Sequence, residues 1–419
     1  MPFSKRVSVA HQPGEFAALL EQEKSKRGVI CDLTISNPTQ AGLPYDNQEI
    51  VAALTDPDMM TYTPQPLGQR AARNTLASLW AGRNVSVAAD QIALTSGTSE
   101  AYGYLFKLLC DPGDDVLVPE PSYPLLSELA RYESVVLSPY RLAYDGAFHV
   151  DIDSVRAAIG PRTRAIVCVS PNNPTGTYVK EEEFRQLFQL GLPLISDEVF
   201  SAYALNGARH PSALEVAQSS PCPELVFVLD GLSKFAGLPQ VKLAWLTAVG
   251  PKAKVRAAMH HLEFLLDAYL SVATHTQLAL PRLLQVSHTT RNAILARIHR
   301  NLACVQARVA GSAVTLLSVE GGWSVPLRLP ELSSDSDWAL GLVRDCQVLT
   351  QPGWFYDFQM DSVLVLSLLT PEQKFEQGLS QLLAYVDDRI RRESPRPAGA
   401  SAVLHGVPER QDALRHGAE

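Results

Sequence analysis

Long apolar runs are missing from this chain, and none reaches the roughly 20 residues that a membrane-spanning helix needs. Residues 1–15 are polar and mixed in charge, without the apolar stretch of a secretory signal. Positive charge is not in excess: 36 Lys and Arg stand against 44 Asp and Glu, a net charge of -8. With no basic stripe, neither nucleic acid nor an anionic membrane is expected as the main partner. Cysteine is sparse and scattered, at Cys31, Cys110, Cys168, Cys222, Cys304 and Cys346, with no C-x-x-C pair and no His-Cys cluster. That spacing weighs against a zinc site or a disulfide framework and suits reduced thiols in a cytoplasmic protein. No internal repeat is visible.

What is present is a succession of short apolar runs alternating with helix-like stretches. Residues 91–95, 115–118, 164–169, 192–196, 225–229 and 243–247 read as strands with little polar alternation, as expected where both faces are covered. A helix-period segment at 99–109 follows the first of them. Strand alternating with helix predicts an α/β sheet, mostly parallel. After Gly250 the spacing turns helical, over 252–268 and 290–310. Gly321-Gly322-Trp323 then opens a strand-rich region, with 363–367 as its clearest strand and 375–386 as a final helix. From Arg391 onward the composition predicts a mostly disordered tail.

Polar residues collect where the strands end. Ser96-Gly97-Thr98-Ser99 lies between a strand and a helix, where backbone amides and the Thr98 and Ser99 hydroxyls suit a phosphate. Taken alone, such a turn is more often only a tight connection. Tyr123 follows the next strand in a Pro-rich loop and is able to stack on a flat ring, although a packed loop tyrosine is equally ordinary. Asn173-Pro174-Thr175-Gly176 is a turn by composition, to which Asn173 adds a hydrogen-bonding amide. Asp197 ends an apolar strand, where a carboxylate is costly unless paired. Lys234 follows another strand, and a lone lysine there is nearly always a solvated surface group. Its weight comes from ordered company.

The ordered set Tyr62, Gly68, Ser96-Gly97-Thr98, Pro112-Gly113-Asp114, Pro121-Ser122-Tyr123, Asn173-Pro174-Thr175-Gly176, Asp197-Glu198 and Ser233-Lys234 resembles that of the class I/II aminotransferases, the aspartate aminotransferase superfamily. The resemblance covers roughly residues 25–390. It implies PLP fold type I: an α/β three-layer sandwich with a mostly parallel sheet as the large domain, over 46–285, and a smaller α+β domain from 1–45 and 286–392, leaving 393–419 as the tail. It implies pyridoxal 5'-phosphate (PLP) as cofactor. By the same resemblance Lys234, after Ser233, is the Schiff-base lysine and general acid/base, and Asp197 pairs with the pyridine nitrogen. Asn173 binds the ring oxygen and Tyr123 stacks on the ring. Gly97, Thr98, Ser99 and Lys242 hold the phosphate. Tyr62 reaches the phosphate of a neighbouring subunit, so a homodimer is expected. Asn37 matches a segment that closes over the substrate, with Asn173 and Trp323 as further substrate contacts. The implied reaction moves an amino group between an amino acid (or amine) and a keto acid.

Three positions depart from the family's pattern. Eight residues after the lysine, Lys242 stands where an arginine is usual, keeping the charge without the bidentate fork. Phe200 replaces a tyrosine whose hydroxyl would reach the ring oxygen, and Tyr203 is the candidate substitute. Val365 replaces the arginine that clamps the substrate's α-carboxylate, and no arginine lies between Asp361 and Thr370. That loss leaves a lyase, decarboxylase or cyclase on the same scaffold as the alternative. An acyl transferase would stack a histidine where Tyr123 stands. A non-catalytic regulatory module would carry a DNA-binding domain before the enzyme-like body. Trp323, Trp354, Phe355 and Tyr356 suggest an aromatic or aliphatic side-chain pocket, or else the packing of the small domain.

Overall fold

The computed structural model describes residues 4–7, 15–28 and 31–393. The tail expected over 393–419 lies outside them except for Glu393, as does most of the N-terminal stretch 1–15. An eight-stranded sheet dominates, in the order Ile92–Thr95, Ala244–Val249, Val226–Gly231, Leu194–Asp197, Thr163–Val169, Asp115–Glu120, Val136–Tyr144 and Phe148–Val150. The five strands from Val226–Gly231 to Val136–Tyr144 run parallel. Packing explains their unalternating apolar runs. Along Thr163–Val169, Ala165 and Val167 enter the core on one face, while Ile166 and Cys168 enter the core on the other. Phe227 and Leu229 divide from Val226 and Val228 in the same way. Both faces are covered, so every residue of these strands can be apolar.

The strand expected at 243–247 is present as Ala244–Val249, but it runs antiparallel to both neighbours. The link from Val226–Gly231 carries only two short turns, Leu232–Phe235 and Pro239–Val241, in place of a crossover helix. Val136–Tyr144 and Phe148–Val150 gave no apolar run because they form the sheet's edge and alternate with exposed residues.

A second, antiparallel sheet has the order Thr315–Leu316, Ser324–Arg328, Val363–Ser367 and Gln351–Pro352. Leu364 and Leu366 point into a core shared with the helices His288–Val309 and Glu372–Glu393. Val363 and Val365 point the other way, against Tyr356. The last helix outruns the expected 375–386, so residues 391–393 are helical rather than part of a tail. Arg391 and Arg392 sit in its final turn, where a cation is favoured by the helix dipole. The N-terminal segment is stitched to this region by the parallel pair Cys31–Asp32 with Val348–Leu349.

Gly68 sets the approach of the chain to the large sheet. Its φ is +91°, and an added Cβ would lie 2.5 Å from the Leu94 side chain. The buried Arg73 locks the turn by donating to the Gly68 carbonyl at 2.9 Å and the Ala89 carbonyl at 2.8 Å. Gly68→Ala should therefore destabilise the protein by about 2–4 kcal/mol, read as a lower urea midpoint at unchanged slope.

Candidate active site

Five strands of the large sheet end in Thr95, Glu120, Val169, Asp197 and Gly231, and the loops that follow meet the small sheet around a cavity of about 370 Å³. The carboxyl ends of parallel strands are where an open α/β sheet leaves such a crevice. Of the residues expected to act, Thr98, Ser99, Tyr123, Asn173, Asp197, Lys234 and Trp323 line this cavity.

Asp197 is the last residue of its strand. Its carboxylate accepts from the Val199 amide at 3.2 Å and from the Tyr102 hydroxyl at 3.1 Å. Burial pushes the carboxyl up to about 6, against the opposing pull of those two bonds and of Lys234. Tyr102 was not foreseen. It sits one helical turn beyond Thr98 on Thr98–Leu109 and so shares its face, which is the sequence signal that would have found it.

Lys234 lies on the single turn Leu232–Phe235. Its Nζ is 5.2 Å from the centre of the Phe200 ring and 5.0 Å from that of Trp323. Burial pushes the amine down to about 8, partly offset by the Asp197 charge. Tyr203 does not replace the hydroxyl missing at Phe200. Its OH donates to the Lys234 carbonyl at 2.6 Å, which anchors the lysine's backbone, and its ring packs on Trp323 with centroids 5.0 Å apart.

The phosphate end fits an anion. Gly97 caps Thr98–Leu109, whose first-turn amides have no carbonyl within the helix to bond. An added Cβ on Gly97 would sit 3.4 Å from Lys242 Nζ, so the ammonium stands directly over the glycine. Lys242 adopts a left-handed backbone, φ +58°, on the way into its strand. Neither Gly97 nor Lys242 lines the cavity that holds Lys234, and Ser233 does not either.

Asn173 accepts from the Ser324 hydroxyl at 3.0 Å, which turns its amide NH2 toward other partners. The buried Asn172 beside it fixes the loop, donating to the Pro121 carbonyl at 2.9 Å and to Thr175 Oγ1 at 3.0 Å. Cation cradle, buried carboxylate, amide and amine together match the donor set that PLP requires.

Asn37 is not brought to the cavity. Its side-chain oxygen caps its own turn, accepting from the Thr39 amide at 3.1 Å and hydroxyl at 2.8 Å, and Thr34 and Ser36 line the wall instead. Tyr62 is exposed and away from it. Phe355 and Tyr356 do line it, while Trp354 packs edge-on against Phe16, centroids 5.5 Å apart. Gln351, unforeseen, enters the wall as the cross-strand partner of Val365.

Residues 30–326 match the family described as aminotransferase class I and II. The glutamate-pyruvate aminotransferase AlaA of Escherichia coli is 28% identical over 271 residues, 63% of this chain and 65% of that protein, so the match spans just under two thirds of the relative. The protein of the same name from Haemophilus influenzae is 24% identical over 388 residues, 89% of this chain and 93% of the relative. The solved structure of an alanine aminotransferase from Pyrococcus furiosus superposes with a TM-score of 0.81 at 21% identity, covering 92% of this chain and 100% of that one, which shows a shared fold. With cavity, sheet and match in agreement, the chain belongs to the class I and II aminotransferases, PLP-dependent enzymes of fold type I.

Proposed function

We propose that this chain moves an amino group between an amino acid or amine and a keto acid. The observation that carries the reading is one cavity holding both Lys234, with its amine pushed down to about 8, and the buried carboxylate Asp197. The relatives named as glutamate-pyruvate aminotransferases support it. The cofactor would be held by Gly97, Thr98, Ser99 and Lys242 at its phosphate, by Asp197 at the ring nitrogen, by Asn173 at the ring oxygen and by Tyr123 against the ring. When bound, PLP supplies an electrophilic carbonyl carbon and a ring that takes up the electrons left by proton removal.

The protein's part is proton handling. With its amine at about 8, Lys234 is about a tenth neutral at pH 7, where an ordinary lysine is almost wholly charged. A neutral amine can act as nucleophile, and afterwards as the base that takes a proton from the substrate carbon bearing nitrogen. Asp197, at about 6, stays mostly ionised at pH 7, held so by Val199 and Tyr102. Ring faces of Phe200 and Trp323 flank the Lys234 amine.

We further propose a cytoplasmic homodimer. Met60, Tyr62, Phe264 and Tyr269 are 83%, 73%, 67% and 60% exposed, a large apolar area for a free surface. Tyr62 would cross that interface toward the other subunit's phosphate site. The six cysteines are free thiols, and among the described residues no helix is long and apolar enough to cross a membrane. Residues 46–285 would form the large cofactor-binding domain, and 1–45 with 286–392 the small one.

Lys234→Ala should lower amino-group transfer by about 10²–10⁴-fold in an assay of keto-acid formation over a panel of donors. Continued product release beyond one equivalent per enzyme without any acceptor would mean elimination or decarboxylation and would overturn transamination. In the cofactor-free protein, reductive methylation of Lys234 should rise through a midpoint near pH 8 rather than 10.5. Asp197→Asn should move that midpoint lower still, because the carboxylate is what favours the ammonium. Tyr62→Ala should keep the dimer in sedimentation but bind PLP about tenfold more weakly, the loss expected for a hydrogen bond to a charged group.

A further inference from the structure

Among the described residues, the wall of the cavity opposite Lys234 carries no cation. Among the residues lining the cavity the charged ones are Asp197 and Lys234 alone, and both are committed to the cofactor and the proton. Val365 faces away from the small-domain core and packs on Tyr356. Its cross-strand partner Gln351 accepts the Tyr356 hydroxyl on its amide oxygen, which leaves the amide NH2 as the donor on that wall. Two nearby hydroxyls are already engaged: Ser367 donates to the Ile35 carbonyl at 2.5 Å, and Thr34 to the Asp32 carboxylate at 2.6 Å.

Asp357 directly follows Tyr356, and it lies close enough to Glu120 to add to the burial that holds the Glu120 carboxyl above its usual range. Apolar side chains also line the cavity: Leu125, Leu126 and Leu129 from one face of Leu125–Tyr132, and Phe355. An ionised carboxylate entering here would lose its hydration without gaining a cation, at a cost that neutral amides do not offset.

We propose that the substrates of this site carry no α-carboxylate: an apolar primary amine as donor and an aldehyde or ketone as acceptor, with Gln351 as the specificity-determining residue that meets a neutral polar group. This rests on the transamination reading and narrows it, since donor and acceptor pass through the same cavity. The exchange balances without an external oxidant. The donor carbon gives up NH2 and H and takes O, a two-electron oxidation. The acceptor carbonyl carbon gives up O and takes NH2 and H, the matching reduction.

The test uses the PLP-loaded enzyme in single turnover, with the cofactor's visible absorbance followed after mixing with phenethylamine or phenylalanine, a pair that differs only in the carboxylate. Phenethylamine should react at least about tenfold faster per unit concentration, and Gln351→Arg should shift the ratio toward phenylalanine by about tenfold or more. Phenylalanine reacting as fast as phenethylamine, or faster, overturns the inference and leaves transamination standing. Reaction of neither, nor of any donor in the panel, overturns both. Calorimetry gives a readout apart from turnover: hydrocinnamate, the amino acid without its amino group, should bind Gln351→Arg measurably and the parent enzyme not. Saturable binding of hydrocinnamate to the parent enzyme overturns the inference as well.

Discussion

Asp197 and Lys234 have to sit buried at the edge of a closed core with opposite charges, and most of the large sheet's construction follows from that. A carboxylate at the end of an apolar strand is tolerable only with donors supplied by the fold, which Val199 and Tyr102 provide. A lysine beside it keeps part of its affinity for a proton through that carboxylate and loses the rest to burial. Each group limits how far the other can stray. Remove the Asp197 charge and the lysine moves further down; remove the lysine and the carboxyl moves further up. Asp197 ends the strand Leu194–Asp197, and Lys234 lies on the turn that follows its parallel neighbour Val226–Gly231, so the pairing brings the two segments together.

Covering both faces of the large sheet leaves its strand ends as the place where polar groups can gather without disturbing a core. Two hydrophobic clusters share out the alternating residues of each central strand. The small antiparallel sheet then closes the crevice from the other side. Its strand Val363–Ser367 gives Leu364 and Leu366 to a third cluster and turns Val365 back toward Tyr356. A one-residue slip in that strand would exchange these faces, so the wall of the cavity depends on the same register that packs the small domain.

Legibility in the sequence followed locality. Asp197 closes a strand, Lys234, Asn173, Thr98 and Ser99 stand three or four residues beyond one, and a strand end is visible as the close of an apolar run. Tyr102 was one helical turn out of reach of such a motif. Gln351 could not be seen at all, because its place is set by pairing with a strand that follows a loop and a 3-10 turn, Gly353–Tyr356. Asn37 misled for the opposite reason: a motif asparagine was read as reaching a ligand, while its oxygen closes its own turn. The antiparallel return of Ala244–Val249 was hidden because an apolar run reports burial and not direction.

The departures at Lys242, Phe200 and Val365 differ in physical weight. Lys242 still delivers a positive charge over Gly97, so the anion site keeps its Coulombic attraction and loses only the directional fork. Phe200 removes one hydroxyl, and Tyr203 stays with the lysine's backbone, so the change is confined to the field around Nζ. Val365 removes a full charge from a wall whose other members are neutral or apolar. The first two changes adjust how firmly a cofactor is held and how easily a proton moves. The third changes which molecule can be desolvated there at all, because an uncompensated buried charge costs more than any one hydrogen bond returns. On the proposed reading, cofactor chemistry and substrate choice are separable in this fold: the large sheet's strand ends would carry the first, and one strand pair of the small sheet the second.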